Sequence, residues 1–226
     1  RRYQPFGFRC VPCHQLMFNG VKAPDENLLG ARGKGVLAAL TGALNYTRIG
    51  NASIVLGIAR AAIEVALSFA MGRRLQEGYI TDQQAIQHMI ADLVTELDAA
   101  SLLRWRAAAM HDRGENPVRE ASQAKLYCTE KATHICGTLL RLMGAYGTYE
   151  DMPMADYFNS CKTLELGSGA SEIHRNNIAR EVLREYSRRF DSGELFRWAQ
   201  TDDQKALIEL NERSAKIFRV ESKAAS

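Results

Sequence analysis

The sequence lacks the features that mark membrane and exported proteins. No apolar run approaches the roughly 20 residues that a membrane-spanning helix needs, and the start, Arg1-Arg2-Tyr3-Gln4, lacks the apolar stretch of a signal peptide. A clear excess of charge is also missing, because 29 Lys and Arg face 26 Asp and Glu and leave a net charge of +3. Nucleic-acid-binding proteins usually show a clustered basic face. These absences predict a cytoplasmic protein with no membrane and no nucleic-acid partner.

The 226 residues include only five cysteines, an odd number, scattered along the chain. Cys10 and Cys13, followed by His14, are the only pair with the spacing of metal ligands. A structural zinc site needs four ligands, normally arranged in two pairs. Because the sequence offers no second pair, we predict free thiols and no metal.

Apolar residues make up 46% of the chain, which is enough for one domain with a sizeable core. The first stretch has strand composition at Phe6–Pro12 and Gln15–Phe18, and Asn19-Gly20 is a turn signal. Helical spacing then begins and persists. We therefore predict a short β segment over residues 1–30, a helical bundle over 31–190 and a helical extension over 191–226.

The helical part divides at glycine and proline signals. Periodicity predicts helices over about 34–73, 81–112, 118–143 and 171–190. The first has stripes at Leu37, Leu40, Leu44, Ile54, Ile58, Ala62, Ala66 and Ala70. The third has a stripe at Cys128, Ala132, Ile135, Leu139 and Leu142, and a short last helix runs through Leu207, Leu210 and Ile217. Thr81 with Gln84, and Thr201 with Gln204, are capping-box signals. The predicted fold is mainly α, an antiparallel four-helix bundle preceded by a short β segment.

A helical bundle does not define a function, because the same architecture serves structural modules, hormones, ferritins and parts of enzymes. Three stretches of sequence are more informative. They are Phe18-Asn-Gly-Val-Lys-Ala-Pro24 followed by Asn27-Leu-Leu-Gly30, then Gln84–Asp92 preceded by Arg73, and Gly169-Ala-Ser-Glu-Ile-His-Arg175 running on to Arg180. In this order and at these separations, the chain resembles the acyl-CoA dehydrogenase family, from the end of its middle β domain through its C-terminal helical domain.

The resemblance implies an FAD-dependent oxidoreductase that acts at the α,β carbons of an acyl-CoA thioester. In this family the flavin lies between the β domain and the bundle, and a neighbouring subunit completes the site in a dimer or tetramer. A carboxylate removes the α proton while the β hydride passes to the flavin, so the protein supplies position and electrostatics. The family's N-terminal domain and most of its barrel are not in this sequence, so a longer protein or another chain is expected to supply them.

The resemblance also implies roles for individual residues. The thioester side of the cleft would be lined by Asn45, Thr47, Arg48 and Gly169. The flavin dinucleotide would be contacted by Arg73, Arg74, Gln83, Gln84, Arg141, Gly144, Ala145, Ala170, Ser171 and Glu172. Several of these have a second interpretation from local chemistry. Gln84 could be a capping residue, Arg141 could offset a helix dipole rather than hold a phosphate, and Ser171 is predicted as an N-cap.

The pattern departs from the family at its catalytic position. The usual glutamate is replaced by Ser168, and the other position that some members use for the base is Thr47. A hydroxyl is a very weak base near neutral pH, so Ser168 is expected to be a cap or a hydrogen-bond donor. Glu165 is a possible substitute base, with a solvated loop carboxylate as its alternative. The function could therefore also be that of a non-catalytic partner subunit in a heteromeric enzyme, or a family chemistry other than dehydrogenation.

Overall fold

The computed structural model describes residues 1–35, 44–195 and 209. Two compact units divide the chain, Arg1–Val182 and Leu183–Ser226. Leu37 and Leu40, like the predicted last helix with its Thr201–Gln204 capping box, lie outside the described residues. The predicted boundaries after residues 30 and 190 stay predictions. The mainly α architecture is confirmed.

The N-terminal segment contains less strand than the sequence suggested. Two strands of two residues each, β1 (Arg2–Tyr3) and β2 (Cys13–His14), pair antiparallel with Tyr3 opposite Cys13. The predicted strands at Phe6–Pro12 and Gln15–Phe18 are wrong, because an extended segment forms a strand only where it finds a partner for its backbone groups. A short 3-10 helix follows at Asp25–Asn27. The segment touches the bundle where the backbone N–H of Phe8 donates to Ser160 Oγ (2.9 Å).

The first long helix, α1 (Leu44–Gly72), packs against the three other helices of the bundle. Its buried face is rich in alanine, which lets neighbouring helices approach closely: Ala52, Val55, Ala59, Ala62, Ala66 and Ala70 are buried without measurable exposure. Ile54, predicted to lie on the buried stripe, is exposed. By length and composition this helix could cross a membrane, so the expectation that no apolar run approaches that length is wrong. The core helix of a bundle has the same length and composition.

Helices α2 (Gln84–Asp112) and α3 (Val118–Leu142) pack against α1 and against each other. Hydrogen bonds join α2 and α3 from Lys131 to Glu96 (2.5 Å), from Cys128 to the carbonyl of Ala100 (3.3 Å) and from Arg106 to Gln123 (2.7 Å). Since residue numbers rise along α2 as they fall along α3, the two helices are antiparallel, as predicted. The predicted apolar stripe of α3 lies in the core, where burial of a side chain such as Leu139 stabilises the fold by about 1.5–3 kcal/mol.

The start of α2 differs from its predicted form. A 3-10 helix at Ile80–Asp82 precedes it, and Gln83 is the N-cap with no side-chain cap hydrogen bond. The predicted capping box of Thr81 and Gln84 is therefore wrong. Instead the Asp82 carboxylate accepts a hydrogen bond from the backbone N–H of Tyr79 (2.7 Å). The end of α2 at Asp112, by contrast, is confirmed.

The bundle contains a helix that the sequence analysis did not identify, α4 (Met154–Leu166). It packs on α1 and α3 and contributes Met154, Cys161 and Leu164 to the core. The predicted helix at 171–190 exists as α5 (Ser171–Asp191), but only Ser171 and His174 are buried in it. The fourth packed helix of the bundle is therefore α4 rather than α5. Another 3-10 helix, Gly144–Thr148, links α3 to α4 after the predicted stop at Gly144.

Candidate active site

The turn between α4 and α5 contains Ser168 and the predicted site residues Gly169 and Ala170 that follow it. Ser168 (φ 59°) and Gly169 (φ 103°) both have left-handed backbone conformations. A side chain at Gly169 would also meet the ring of His174. Serine seldom adopts a positive φ, so the fold must hold Ser168 in this conformation through its neighbours.

One of those neighbours is Asn51 on α1. Its buried side-chain amide donates to the carbonyl oxygens of Leu164 (3.2 Å) and Gly167 (3.3 Å). These bonds fix the end of α4 and the start of the turn against α1. They also bring the turn close to Arg48, which lies three residues before Asn51 on the same buried face of α1.

Arg48 is a buried cation, only 7% exposed. Its Nη1 donates to the Asn45 side-chain oxygen (3.2 Å), whereas its Nε atom is buried and finds no acceptor within the described residues. Burial lowers the pKa of Arg48, but an arginine stays protonated at any physiological pH. A buried charge with unused donors is costly unless an electron-rich group approaches it. Arg48 therefore fits its predicted place beside a polar ligand.

Lys125 on α3 is a second buried cation at the turn, with no measurable exposure. Its Nζ donates to the carbonyl oxygens of Glu165 (2.5 Å) and Gly169 (2.8 Å). Burial lowers the pKa of Lys125 to about 8, and the nearby Glu165 carboxylate opposes that shift. The amine is thus mostly protonated at pH 7.

His174, in the first turns of α5, approaches the same carbonyl. Its Nε2 lies 3.1 Å from the oxygen of Gly169. Burial, with the positive charges of Lys125 and Arg48, lowers the pKa of His174 to about 4. The ring is therefore neutral at pH 7, and because a carbonyl can only accept, Nε2 carries the proton. The other ring nitrogen, Nδ1, is buried without a partner among the described residues.

At the start of α5 the predicted N-cap role of Ser171 is wrong, and the neighbouring site residues Ala170 and Glu172 have clear positions. Ser171 is the first helical residue rather than an N-cap, and its buried hydroxyl finds no hydrogen-bond partner in the described part of the chain. The carbonyl of Ala170 accepts instead from the backbone N–H of Ile173 (3.0 Å). Glu172 is exposed in the first turn, where a negative charge favours the helix dipole.

Asn45 and Thr47 lie nearer the surface. The Asn45 side chain donates to Asn116 (2.8 Å) in addition to accepting from Arg48. The Thr47 hydroxyl donates to the carbonyl of Leu44 (3.0 Å). The Thr47 hydroxyl therefore bonds within its own helix. Among the described residues, no hydrogen bond joins it to a basic group that could activate it.

Glu165, the candidate substitute base, is not a solvated loop carboxylate. It lies in the last turn of α4, and its side chain is only 15% exposed. One carboxylate oxygen pairs with Lys162 (2.8 Å) and the other accepts from Thr133 (3.0 Å). The carboxylate faces a cleft of about 540 Å³ that also includes Arg141 and Phe158. Both oxygens therefore have hydrogen-bond partners at this cleft.

Apart from Ala170, Ser171 and Glu172, which lie at the turn before and in α5, the predicted dinucleotide contacts form a second group at the other end of α1. Arg73 lies over the ring of Tyr146 (5.9 Å from its centroid), and Arg74 pairs with Tyr79 in an isolated bridge. A cleft of about 430 Å³ between the start of α2 and the end of α3 has Gln83 and Arg141 on an otherwise mostly apolar wall.

The turn after α3 belongs to this second group. Gly144 has a positive φ (59°) with open space around it, so a ligand can approach its backbone closely. Ala145 follows inside the 3-10 helix, and its carbonyl accepts from Thr148. Arg141 lies in the last turn of α3, so both its interpretations, phosphate contact and compensation of the dipole, remain open. Gln84 is an exposed first residue of α2 and caps nothing through its side chain.

The two groups are separate within one chain. Arg48 and Arg73 are 25 positions apart on and just beyond α1, which corresponds to about 37 Å at 1.5 Å per residue. The structure thus brings Ala170, Ser171 and Glu172, three of the predicted dinucleotide contacts, together with the thioester-side residues at the turn. The other predicted dinucleotide contacts lie at the far end of α1.

Three residues that contact the turn were not among the predicted site residues: Asn51, Lys125 and His174. A signal for Lys125 existed, because it lies three residues before Cys128 on the buried stripe of α3. A lysine in register with an apolar stripe is unusual and points to a specific partner. Asn51 gave the same signal on α1. His174 stood inside the quoted Gly169–Arg175 stretch but was not singled out.

The chain is similar to known proteins over most of its length. Residues 33–183 match the family model described as acyl-CoA dehydrogenase, C-terminal domain. The chain is 36% identical over 187 residues to the mitochondrial short-chain specific acyl-CoA dehydrogenase of Sus scrofa, which covers 82% of this chain and 45% of that protein. It is 34% identical over 169 residues to a subunit of the caffeyl-CoA reductase–Etf complex of Acetobacterium woodii, covering 75% of this chain and 44% of that subunit.

The chain is also similar to solved structures. Butyryl-CoA dehydrogenase from Megasphaera elsdenii superposes with a TM-score of 0.78 at 28% identity, over 81% of this chain and 48% of that one. Glutaryl-coenzyme A dehydrogenase in complex with glutaryl-CoA superposes with a TM-score of 0.77 at 32% identity, over 81% and 46%. The chain belongs to the acyl-CoA dehydrogenase family and spans about half the length of the relatives it matches.

Proposed function

We propose that the protein containing this chain is an FAD-dependent oxidoreductase that binds an acyl-CoA thioester at the turn between α4 and α5. The observation that carries the proposal is the convergence of Asn51, Lys125 and His174 on the carbonyls of Gly167 and Gly169, with the charge of Arg48 close to His174. Arg48 and Gly169 are predicted to line the same side of the cleft, which requires the turn to pack against α1. Asn51 on α1 makes that contact.

The turn is suited to an electron-rich oxygen. The first N–H groups of α5 have no acceptors inside their own helix, and the helix dipole places partial positive charge there. Arg48 adds a full charge with an unused donor. A thioester carbonyl, and still more the enolate that forms when its α proton leaves, gains from these groups because they are fixed before the ligand arrives.

The second group fits a dinucleotide. Arg73, Arg74 and Arg141 offer charge for a pyrophosphate, Gly144 offers close backbone approach, and the apolar cleft beside Gln83 offers space for a flat ring. Because this group lies about 37 Å from Arg48, we propose that it holds the FAD of a neighbouring subunit, in a dimer or tetramer. When bound, the flavin would supply the hydride acceptor for oxidation of the acyl chain.

The group that would accept the α proton is not Ser168. Ser168 occupies the position of the family's base, and a serine hydroxyl is a very weak base near neutral pH. His174 in the first turns of α5 is neutral but directs its protonated nitrogen to the carbonyl of Gly169. We therefore assign Ser168 a hydrogen-bonding role toward the thioester. The base would lie elsewhere in the full site, or the reaction would be one that needs none.

The protein at its full natural length tests the proposal. A yellow preparation with the absorbance of oxidised flavin is expected, and addition of an acyl-CoA without oxygen should perturb that absorbance by binding or bleach it by reduction. Bleaching identifies a dehydrogenase. A colourless protein that binds no acyl-CoA in calorimetry would refute the whole proposal.

The second candidate is a partner subunit that completes a neighbour's site without its own turnover. Ser168 in place of the glutamate favours it, and so does the likeness to a subunit of a caffeyl-CoA reductase–Etf complex. Purification from the native source distinguishes the two. A heteromer with a relative that has the glutamate supports the partner role, whereas full activity from a homomer rules it out.

A further inference from the structure

We propose that Cys136 and Cys161 form a redox-sensitive brace, in which a peroxide converts the two thiols into a disulfide that links α3 to α4. The two sulfur atoms lie 3.7 Å apart in the core, and both cysteines are free thiols. The proposal goes beyond the proposed function and does not depend on it, because it involves neither the flavin nor the thioester.

The cysteine pair lies where α3 and α4 approach each other closely. On one side of the pair, a side chain at Gly137 would meet the Phe158 ring at 3.2 Å, which is tighter than ordinary van der Waals contact. On the other side, the Thr133 hydroxyl donates to the Glu165 carboxylate (3.0 Å). Contacts on both sides therefore fix the spacing of the two helices at the pair, without any covalent link.

The separation of the two sulfur atoms suits conversion to a disulfide. A disulfide bond is about 2.05 Å long, so starting from 3.7 Å each sulfur has to move by less than about 1 Å. Small rotations of the two side chains supply most of that movement. Cys128, on the same helix, provides a contrast: its Sγ faces the carbonyl of Ala100 (3.3 Å), and no contact in the described part of the chain brings a second thiol to it.

The two cysteines have different roles in the reaction. The hydrogen bond with Cys136, together with burial, holds the pKa of Cys161 far above its usual range, so Cys161 keeps its proton. The Cys136 sulfur therefore attacks hydrogen peroxide: an S–O bond forms, the O–O bond breaks, and hydroxide leaves with the Cys136 proton as water. The Cys161 sulfur then attacks the resulting sulfenic acid. An S–S bond forms, the S–O bond breaks, and a second water leaves with the Cys161 proton, so that two thiols are oxidised and one peroxide is reduced to two waters.

Burial makes the pair selective for a small oxidant. Cys136 and Cys161 have no measurable exposure, so an alkylating reagent does not reach them in the folded protein. Hydrogen peroxide is uncharged and little larger than water, and the local opening motions of a folded protein admit it. Because little thiolate forms in the core, the reaction is slow, and we expect it over minutes to hours.

The disulfide would close a loop that contains predicted ligand contacts. The residues between the two cysteines include the last turn of α3 with Arg141 and the 3-10 helix that begins at Gly144. A cross-link stabilises a protein mainly by restricting its unfolded chain, and the effect grows with the length of the loop. The oxidised protein should therefore unfold at a higher temperature than the reduced protein.

The experiment treats the folded protein at full natural length with hydrogen peroxide, removes the peroxide with catalase, and then alkylates the remaining thiols in denaturant. Tryptic peptides 132–141 and 142–162 carry one cysteine of the pair each, and peptide 126–131 carries Cys128. We expect mass spectrometry to find the first two peptides joined by a bond that dithiothreitol breaks, with Cys128 alkylated. The midpoint of thermal unfolding should rise by roughly 5 °C on oxidation.

Cys161→Ser should lose both the link and the rise in the unfolding midpoint. Cys128→Ser is the matched control and should keep both, because it removes a buried thiol of the same helix that contacts a carbonyl instead of a thiol. Peptides that stay separate, a link that includes Cys128, or a midpoint that does not rise overturns the proposal. If Cys161→Ser does not fold, the peptide map and the midpoint of the wild-type protein decide. Failure to bind flavin or acyl-CoA bears only on the proposed function.

Discussion

Asn51 and Gly167 are joined by a hydrogen bond from a buried side-chain amide to a main-chain carbonyl (3.3 Å), which ties α1 to the turn that carries Ser168. A second bond from the same amide reaches Leu164 (3.2 Å). Asn51 therefore ties the turn directly to the helix that carries Arg48.

Replacement of that side chain should be costly. Asn51→Ala removes the donor of two carbonyls at the end of α4, so we expect a loss of about 1–3 kcal/mol in the free energy of unfolding. Denaturant titration of the full-length protein measures it. Asn116→Ala, which breaks an exposed side-chain pair with Asn45, should cost less than about 0.5 kcal/mol. Equal losses for both variants would contradict this account of the turn.

Acid should destabilise the protein through His174. In the unfolded chain this ring takes up a proton as the pH falls through about 6.5, whereas in the folded chain its pKa is about 4. Between these values the unfolded state binds more protons, so the free energy of unfolding falls as the pH falls, by about 3 kcal/mol at most. His174→Gln keeps a donor for Gly169 but does not titrate. Its unfolding free energy should vary less between pH 6.5 and 4, and an unchanged slope would exclude His174 as the cause.

Three cysteines should resist modification in the native protein. Cys128, Cys136 and Cys161 are buried, and burial raises the pKa of Cys128 to about 12, so little reactive thiolate forms. Burial and the neighbouring Cys136, whose Sγ lies 3.7 Å away, likewise raise the pKa of Cys161. We expect these three to react with a thiol reagent only in denaturant. Peptide mapping after alkylation identifies them, and rapid native labelling of any one would disagree with the described core.

Ser168→Glu should restore a carboxylate at the family's catalytic position. A positioned general base typically contributes about 10²–10⁴-fold to rate, so flavin reduction by an acyl-CoA should accelerate by a factor in that range. Ser168→Gln is the control, with the same size and no charge. Anaerobic stopped-flow absorbance measures both. Identical rates for the two variants would show that the missing carboxylate is not what limits the reaction.

The long helices could be predicted from the sequence because their buried residues recur regularly. In α3 the stripe of Cys128, Ala132, Ile135 and Leu139 is buried throughout, as its spacing indicated. Helix α4 escaped notice because it is short and buries only Met154, Cys161 and Leu164, a spacing too sparse to reveal a period.

The site depends on contacts that a single sequence does not encode locally. Lys125 is buried because two carbonyls 40 and 44 positions later accept from it. The β segment shows the same limit, since strand composition predicted two strands whose pairing the rest of the fold did not provide. Resemblance to a family located the turn, whereas its internal hydrogen bonds had to come from the structure.

The length of α1 has a genetic consequence. If each flavin site draws Arg48 from one subunit and Arg73 from its neighbour, a chain defective at one arginine and a chain defective at the other would complement each other when mixed. In a two-site dimer built from one of each, one site would receive both defects and the other would receive neither. Such mixed assemblies would regain half of their sites, while either defective chain alone would have none.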